Sequence, residues 1–174
     1  MTRILIAAAA LLLGLLAAGP TSAQISVTRT PATSPVIGRV VRGSAATTFS
    51  VSTAGVVTRT SGNAIRLSTT SVTPPTVTIS CGTGSACNNN DVRVTITATG
   101  ASDDGSISRF RVGSLTGATY RTLAPAEGAS LVFDLRPLGM NRSASFVLGM
   151  DVLLAAASDS GTDTFTYTVT VAFR

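Results

Sequence analysis

Few residues of this 174-residue chain could do chemistry: two cysteines, eight carboxylates and many hydroxyl side chains. Histidine is absent, so the usual general base and activator of a nucleophile is missing. Asp103 and Asp104 lie in a glycine-flanked stretch where carboxylate oxygens could hold a cation, and Asp159 and Asp163 invite the same interpretation. A solvated turn is the commoner alternative in both places. We therefore expect no enzyme activity, no bound metal and no cofactor.

Cys81 and Cys87 bracket a short glycine-containing segment. In an exported protein, a close and even pair of cysteines is typical of a disulfide. Two cysteines without any histidine make a poor metal site. The spacing therefore predicts a disulfide that fixes a tight turn and contributes roughly 2 kcal/mol to stability.

The first 23 residues have the layout of a secretory signal peptide. A positive start at Arg3 is followed by an almost unbroken apolar run from Ile4 to Ala18 and by the small residues Thr21–Ala23. The alternative is a membrane anchor, but the run is shorter than the ~20 apolar residues that a span needs. We expect cleavage before Gln24, export from the cytoplasm, and no integral membrane span in the mature chain.

The mature chain, residues 24–174, has the length of one domain and a weakly charged surface. All 13 basic residues are arginines; with 8 acids the net charge is +5, or +4 (5 − 1) once Arg3 is lost with the signal. A basic balance can indicate nucleic acid or an anionic membrane. Because the arginines are scattered singly along the sequence, we interpret them as solvated surface charges and expect no nucleic-acid partner.

Apolar residues recur at every second position in many short segments, which is typical of β-strands. Ile107–Val112 predicts a weak strand ended by Gly113, and Phe146–Leu154 predicts a long strand interrupted at Gly149. After residue 23 there is no convincing helical period. Nine or so strands between Gly, Pro, Asn and Ser turns predict an all-β fold, a single antiparallel sandwich over 24–174.

The last strand is the most regular of these segments, because threonine fills nearly every gap between its apolar residues. The period of two predicts that these apolar residues share the face turned to the core and that the threonines face outward. They are Phe165, Tyr167, Val169, Val171 and Phe173. Such a strand needs a neighbour to pair with, either in its own chain or in another protein.

Two features of this strand resemble the C-terminal signature of chaperone–usher pilins and of the related spore-coat-U-like proteins of Gram-negative bacteria. Phe173 is an aromatic penultimate residue, and Gly161 is fourteenth from the end (174 − 161 + 1 = 14). The segments Ile37–Val41, Phe49–Val51 and Gly55–Val56 also resemble a family of exported bacterial β-sandwich domains of unknown function.

The resemblance implies an immunoglobulin-like, pilin-like sandwich in the periplasm, at the cell surface or outside the cell. It also implies that the terminal strand is completed by a strand of another chain, through β-augmentation. The candidate assembly strand then comprises Gly161 and the alternating residues Phe165 to Phe173, and Ile25 and Val27 are the candidate donor strand. The expected partners are other copies of the protein or a periplasmic chaperone.

Three functional hypotheses follow. The first is a structural surface protein, such as a pilus-like or coat subunit. The second is a self-contained secreted sandwich that binds a ligand or an adhesion partner through its loops. The third is an eight-stranded outer-membrane barrel, which needs aromatic girdles; aromatic residues at 5% and the absence of tryptophan argue against it.

Overall fold

The computed structural model describes residues 25–32, 37–100, 105–156 and 165–174. Within these ranges the chain is almost entirely β-structure, as predicted. One short helix, α1 (Ala86–Asn89), interrupts the strands. The strands are β1 (Ile25–Thr30), β2 (Val40–Val41), β3 (Thr47–Val51), β4 (Val57–Ser61), β5 (Ile65–Arg66), β6 (Thr76–Cys81), β7 (Val92–Gly100), β8 (Gly105–Thr116), β9 (Ser130–Leu135), β10 (Ser143–Leu154) and β11 (Thr166–Phe173).

The larger sheet is built around β10, and every pairing in it is antiparallel. The first part of β10, residues 143–147, pairs with β6, and the second part, residues 150–154, pairs with β3. On its opposite side β10 pairs with β8 over nearly its whole length. The outer strands are β1, beside β6, and β4, beside β3. Because β6 and β3 lie end to end on one side of β10, β1 and β4 lie outside them on that same side, and β8 lies on the other side of β10.

The smaller sheet has the order β11–β7–β9, again antiparallel. A bridge between Tyr120 and Leu135 adds a short segment outside β9. A separate two-stranded ribbon, β2–β5, pairs Val40 with Arg66 and Val41 with Ile65.

The two sheets pack face to face, because each contributes an apolar face of alternating residues to one core. Phe133 of the smaller sheet meets Phe146 of the larger one, with ring centroids 5.7 Å apart. Phe110 and Tyr167 form a second such pair at 5.8 Å. The antiparallel β-sandwich predicted from the sequence is therefore confirmed.

Two glycines that the sequence suggested as strand breaks lie inside strands. Strand β8 continues through Gly113, where an added Cβ would lie 2.9 Å from the Thr53 side chain. Strand β10 continues through Gly149, where an added Cβ would lie 2.8 Å from Cγ of Arg111. At both positions an added Cβ would press on a side chain that lies across the backbone, so each glycine marks a close approach within a continuous strand.

Candidate assembly edge

Strand β11 is an edge strand among the residues that the structure describes. It pairs with β7 from Thr166, opposite Gly100, to Phe173, opposite Val92. No other described strand pairs with it. An edge strand presents unpaired N–H and C=O groups that can template pairing with another chain.

The direction of each backbone group follows from one hydrogen bond at the end of the strand. The N–H of Arg174 donates to the carbonyl of Asp91, 2.9 Å away, which places the groups of residue 174 on the β7 side. In an antiparallel strand, the N–H and C=O of one residue point to the same side and the side alternates along the chain. The groups that point away from β7 therefore belong to Tyr167, Val169, Val171 and Phe173, which we call the open edge.

Arg29 of β1 covers the beginning of the open edge. Its Nη1 donates to the carbonyl oxygen of Tyr167 at 2.9 Å, and its guanidinium lies 4.7 Å from the centroid of the Tyr167 ring. Burial raises the pKa of the Tyr167 hydroxyl, and the Arg29 charge offsets part of that rise. Among the described residues, this hydroxyl has no hydrogen-bond partner. Within the described residues, the outward backbone groups of Val169, Val171 and Phe173 have no backbone hydrogen bond to another strand.

The side chains of β11 follow the alternation that the sequence predicts. Phe165 and Tyr167 are buried, at 3% exposure each. Val169, Val171 and Phe173 are half-buried and pack against the core. The intervening threonines, Thr166, Thr168 and Thr170, are exposed. Gly161, the remaining member of the candidate assembly strand, lies outside the described residues.

Opposite charges fix the far end of β11 to the smaller sheet. Nε of Arg93 donates to Asp134 at 2.9 Å, and the Arg174 guanidinium also binds Asp134. Arg121 pairs with Asp91 beside them. The hydrogen bond from Arg93 lowers the pKa of Asp134 below its usual range, and Arg174 adds to this effect. These contacts hold β11 against β7 and β9, and no strand of the described ranges pairs with its other side.

The candidate donor strand is already part of the larger sheet. Ile25 pairs with Cys81 and Val27 pairs with Ile79 of the same chain. Both side chains are half-buried and pack against the core. Donation of this segment to another molecule would therefore require β1 to leave β6.

Strand β1 is also an edge strand, as far as the described strands go. The N–H of Cys81 donates to the carbonyl of Arg142, so the odd-numbered groups of β6 face away from β1. By the same alternation, the backbone groups of Ile25, Val27 and Arg29 point away from β6. Because Arg29 also reaches Tyr167, the free edges of β1 and β11 lie next to each other, along one side of the sandwich.

Sequence reasoning missed Arg29, although a signal was present. Arg29 continues the inward-facing alternation of Ile25 and Val27, at a position where an apolar residue would be expected. An arginine there can bury its aliphatic stem and must find a partner for its charged end. That partner is a backbone carbonyl 138 residues away, which no local pattern identifies.

The predicted disulfide between Cys81 and Cys87 is confirmed. The carbonyl of Cys87 accepts a hydrogen bond from the N–H of Gly139 at 2.9 Å. The N–H of Asn141 donates to the carbonyl of Gly82 at 3.1 Å. Backbone hydrogen bonds thus hold the disulfide loop to residues 138–142, in addition to the disulfide itself.

No protein-family model matches this chain, and no curated protein or solved structure matches it either. None of the helices in the described ranges is long and apolar enough to cross a membrane. Nor do three or more His, Cys, Asp or Glu side chains come together there as metal ligands. The functional interpretation therefore depends on the geometry of the molecule's own surfaces.

Proposed function

We propose that this is an exported structural or surface protein that assembles by β-strand complementation at the open edge of β11. The observation that supports this proposal most directly is the row of outward backbone groups from Val169 to Phe173. Main-chain hydrogen bonds to such a row give affinity without requiring a specific side-chain sequence. The export signal expected in residues 1–23 and the disulfide support a location outside the cytoplasm.

The strand added to β11 belongs to a second copy of the chain, and β1 supplies it. The free edges of β1 and β11 lie on the same side of the sandwich, so two copies facing each other bring each β1 beside the partner's β11. The same surface is then used by both copies, as in a two-fold dimer. Growth beyond two copies requires β1 to leave its own β6 and insert into the next molecule.

The first experiment removes one outward N–H of the open edge. Val171→Pro deletes that donor and leaves the hydrogen bonds to β7 in place, because the Val171 groups point away from β7. Val171→Ala is the matched control, since it shortens the same side chain but keeps the N–H. We expect light scattering to show association in the wild type and in Val171→Ala but not in Val171→Pro. Equal association of all three proteins would exclude the open edge as the contact.

A second experiment distinguishes the two routes of complementation. Thr28 and Thr78 are directly opposite each other on β1 and β6. A disulfide between Thr28→Cys and Thr78→Cys would keep β1 in its own sheet, at the Cα separation of about 5.5 Å typical of such a pair. Association that survives this cross-link is direct edge pairing; association that returns only on reduction requires release of β1.

The cross-link is a sharper test than deletion of residues 24–30. Deletion removes Ile25 and Val27 from the core, so a loss of association could follow from a loss of folding. A wild-type chain that stays monomeric at all concentrations, and without a bound periplasmic chaperone, would exclude assembly. The self-contained sandwich would then be the correct interpretation. Export is tested separately by mass spectrometry, which should find Gln24 as the first residue of the mature protein.

A further inference from the structure

Strand β1 is held in the larger sheet from one side only. Its backbone pairs with β6 from Ile25, opposite Cys81, to Thr30, opposite Thr76. No other strand of the described ranges pairs with it. An edge strand with a single neighbour can separate from its sheet by local unfolding, at a lower free energy than the core strands require. Any further contact of β1 therefore affects how often this strand opens.

The side chain of Arg29 supplies a second attachment, from β1 to the smaller sheet. Its Nη1 donates to the carbonyl oxygen of Tyr167 at 2.9 Å, across 138 residues of sequence. Its guanidinium also lies 4.7 Å from the centroid of the Tyr167 ring, which is within the range of a cation–π contact. Both contacts are made with one residue, and both are lost if β1 moves away from β11.

Tyr167 is a fixed anchor for this attachment. Its side chain is buried, and its ring packs against the ring of Phe110 with the centroids 5.8 Å apart. Its backbone lies opposite Ala98 of β7. Arg29 itself is half-buried, and a hydrogen bond from a charged donor is stronger in such a place than in bulk water. The contact therefore ties an edge strand to a rigid part of the core.

This contact involves both strands that the proposed assembly uses. The carbonyl of Tyr167 is the first outward acceptor of the open edge, and a strand added beside it would donate an N–H to this oxygen. In the isolated chain, the guanidinium of Arg29 binds the same oxygen. Arg29 also belongs to β1, the strand that must leave β6 for growth beyond two copies. One side chain therefore covers the start of the acceptor edge and retains the donor strand.

We propose that Arg29 is a latch: its contact with Tyr167 keeps β1 on its own sandwich, and release of this contact precedes growth beyond two copies. The inference rests on the proposed function and adds what restrains assembly in the isolated chain. The fraction of molecules with β1 released sets the apparent affinity of the growth step. Loss of a hydrogen bond from a charged donor should raise that fraction about tenfold or more.

Amide hydrogen exchange tests the latch at concentrations low enough to keep the protein monomeric. Arg29→Met keeps the aliphatic stem and removes the guanidinium. The backbone N–H groups of Ser26 and Thr28 point to β6, so they exchange when β1 opens. We expect both amides to exchange about tenfold faster in Arg29→Met than in the wild type, and the amides of β3 to exchange at an unchanged rate. Equal exchange of Ser26 and Thr28 in the two proteins would overturn the proposal.

Arg39→Met is the matched control for this experiment. It removes the same charge from an exposed arginine that belongs to neither β1 nor β11. We expect it to leave the exchange of Ser26 and Thr28 as in the wild type. Equal acceleration by Arg39→Met and Arg29→Met would show an effect of net charge and would contradict a latch formed by one contact.

Light scattering tests the consequence for assembly. Arg29→Met should form species larger than dimers at about tenfold lower concentration than the wild type or Arg39→Met. A disulfide between Thr28→Cys and Thr78→Cys should abolish this growth, because β1 can then no longer leave β6, and reduction should restore it. Growth that persists in the cross-linked Arg29→Met protein would show that β1 need not leave and would overturn the proposed step.

The same cross-link keeps the test valid if Arg29→Met folds poorly. The disulfide holds β1 in place during folding, and exchange is then measured after reduction. We expect circular dichroism to show an intact fold at that point, with only β1 exchanging faster. Global unfolding on reduction would show that β1 cannot open separately from the core and would overturn the latch.

The two measurements distinguish a failure of the latch from a failure of the proposed function. Faster exchange in Arg29→Met, with no association of this variant or of the wild type, would support the latch contact and refute assembly by β-strand complementation. Equal exchange, with both proteins associating at the same concentration, would support assembly and overturn the latch.

Discussion

Removal of the Arg111 side chain should destabilise the fold more than removal of its neighbour Arg109, although both arginines contact the same carboxylate. Nη2 of Arg111 donates to Oδ1 of Asp151 at 2.6 Å, whereas Nε of Arg109 lies 3.4 Å from Oδ2. The Arg111 side chain is 17% exposed, the Arg109 side chain is 54% exposed, and Asp151 is 9% exposed. Arg111 also donates to Ser50 at 2.9 Å.

The magnitude follows from what each substitution leaves behind. Loss of one partner of a buried ion pair costs about 3–5 kcal/mol, because the other charge stays buried. Arg111→Met leaves Asp151 with Arg109 as a weaker partner, so we expect about 3 kcal/mol, at the lower end of that range. Arg109→Met removes an exposed pair, which contributes about 0–1 kcal/mol. For a chain of this size, about 3 kcal/mol lowers Tm by roughly 6–12 °C.

The assay is equilibrium unfolding in urea, with Arg109→Met as the matched control on the same strand. Asp151→Leu and the double variant with Arg111→Met complete a double-mutant cycle, for which we expect a coupling free energy of about 1–3 kcal/mol. If Arg111→Met and Arg109→Met unfold at the same urea concentration, burial does not decide the strength of these pairs and the reasoning is wrong.

Two other predictions concern the disulfide and the acid stability of the smaller sheet. The double variant Cys81→Ala with Cys87→Ala should lose roughly 2 kcal/mol of unfolding free energy in urea, because the short loop is no longer closed. Its circular dichroism spectrum should not change, because backbone hydrogen bonds still hold residues 81–89 to residues 138–142. A protein that no longer folds would show that those bonds are insufficient. The pKa of Asp134 is lower in the folded protein than in the unfolded chain, where it is about 3.9. The ionised carboxylate therefore stabilises the fold at pH values above the unfolded pKa. This stabilisation is lost as the pH falls through the folded pKa. As the pH is lowered from about 5 to about 2, a range that includes the unfolded pKa, Tm of the wild type should therefore fall more than Tm of Asp134→Asn. An equal fall of Tm in both proteins would mean that the contacts with Arg93 and Arg174 do not favour the ionised carboxylate.

Patterns that depend on neighbouring residues could be predicted from the sequence. The period of two identified the strands, including the inward residues of β11, because strand geometry alone decides which side chains share a face. The disulfide between Cys81 and Cys87 was also predictable, since they are the only two cysteines of the sequence and lie six residues apart. These inferences need no knowledge of which strand pairs with which.

Features that depend on long-range pairing could not be predicted. The contact of Arg29 with Tyr167 requires the strand order, because 138 residues separate the two. The candidate donor residues Ile25 and Val27 pair with β6, and their alternation alone could not distinguish a partner in the same chain from one in another. Neighbouring residues alone predict strand breaks at Gly113 and Gly149. The side chains that lie across these glycines, Thr53 and Arg111, come from distant parts of the sequence and cannot be identified from it.

The place of β10 in the larger sheet has a consequence for the order of events during synthesis. This strand is the shared partner of β3, β6 and β8, yet it is made after all three. Until residue 154 has left the ribosome, β3 with β4 and β6 with β1 are isolated pairs, and a two-stranded pair is at best marginally stable in water. Folding of the larger sheet is thereby delayed until nearly the whole chain exists. A nascent chain delayed in this way stays unfolded for most of its synthesis, which is the state in which a polypeptide can be threaded through a translocation channel.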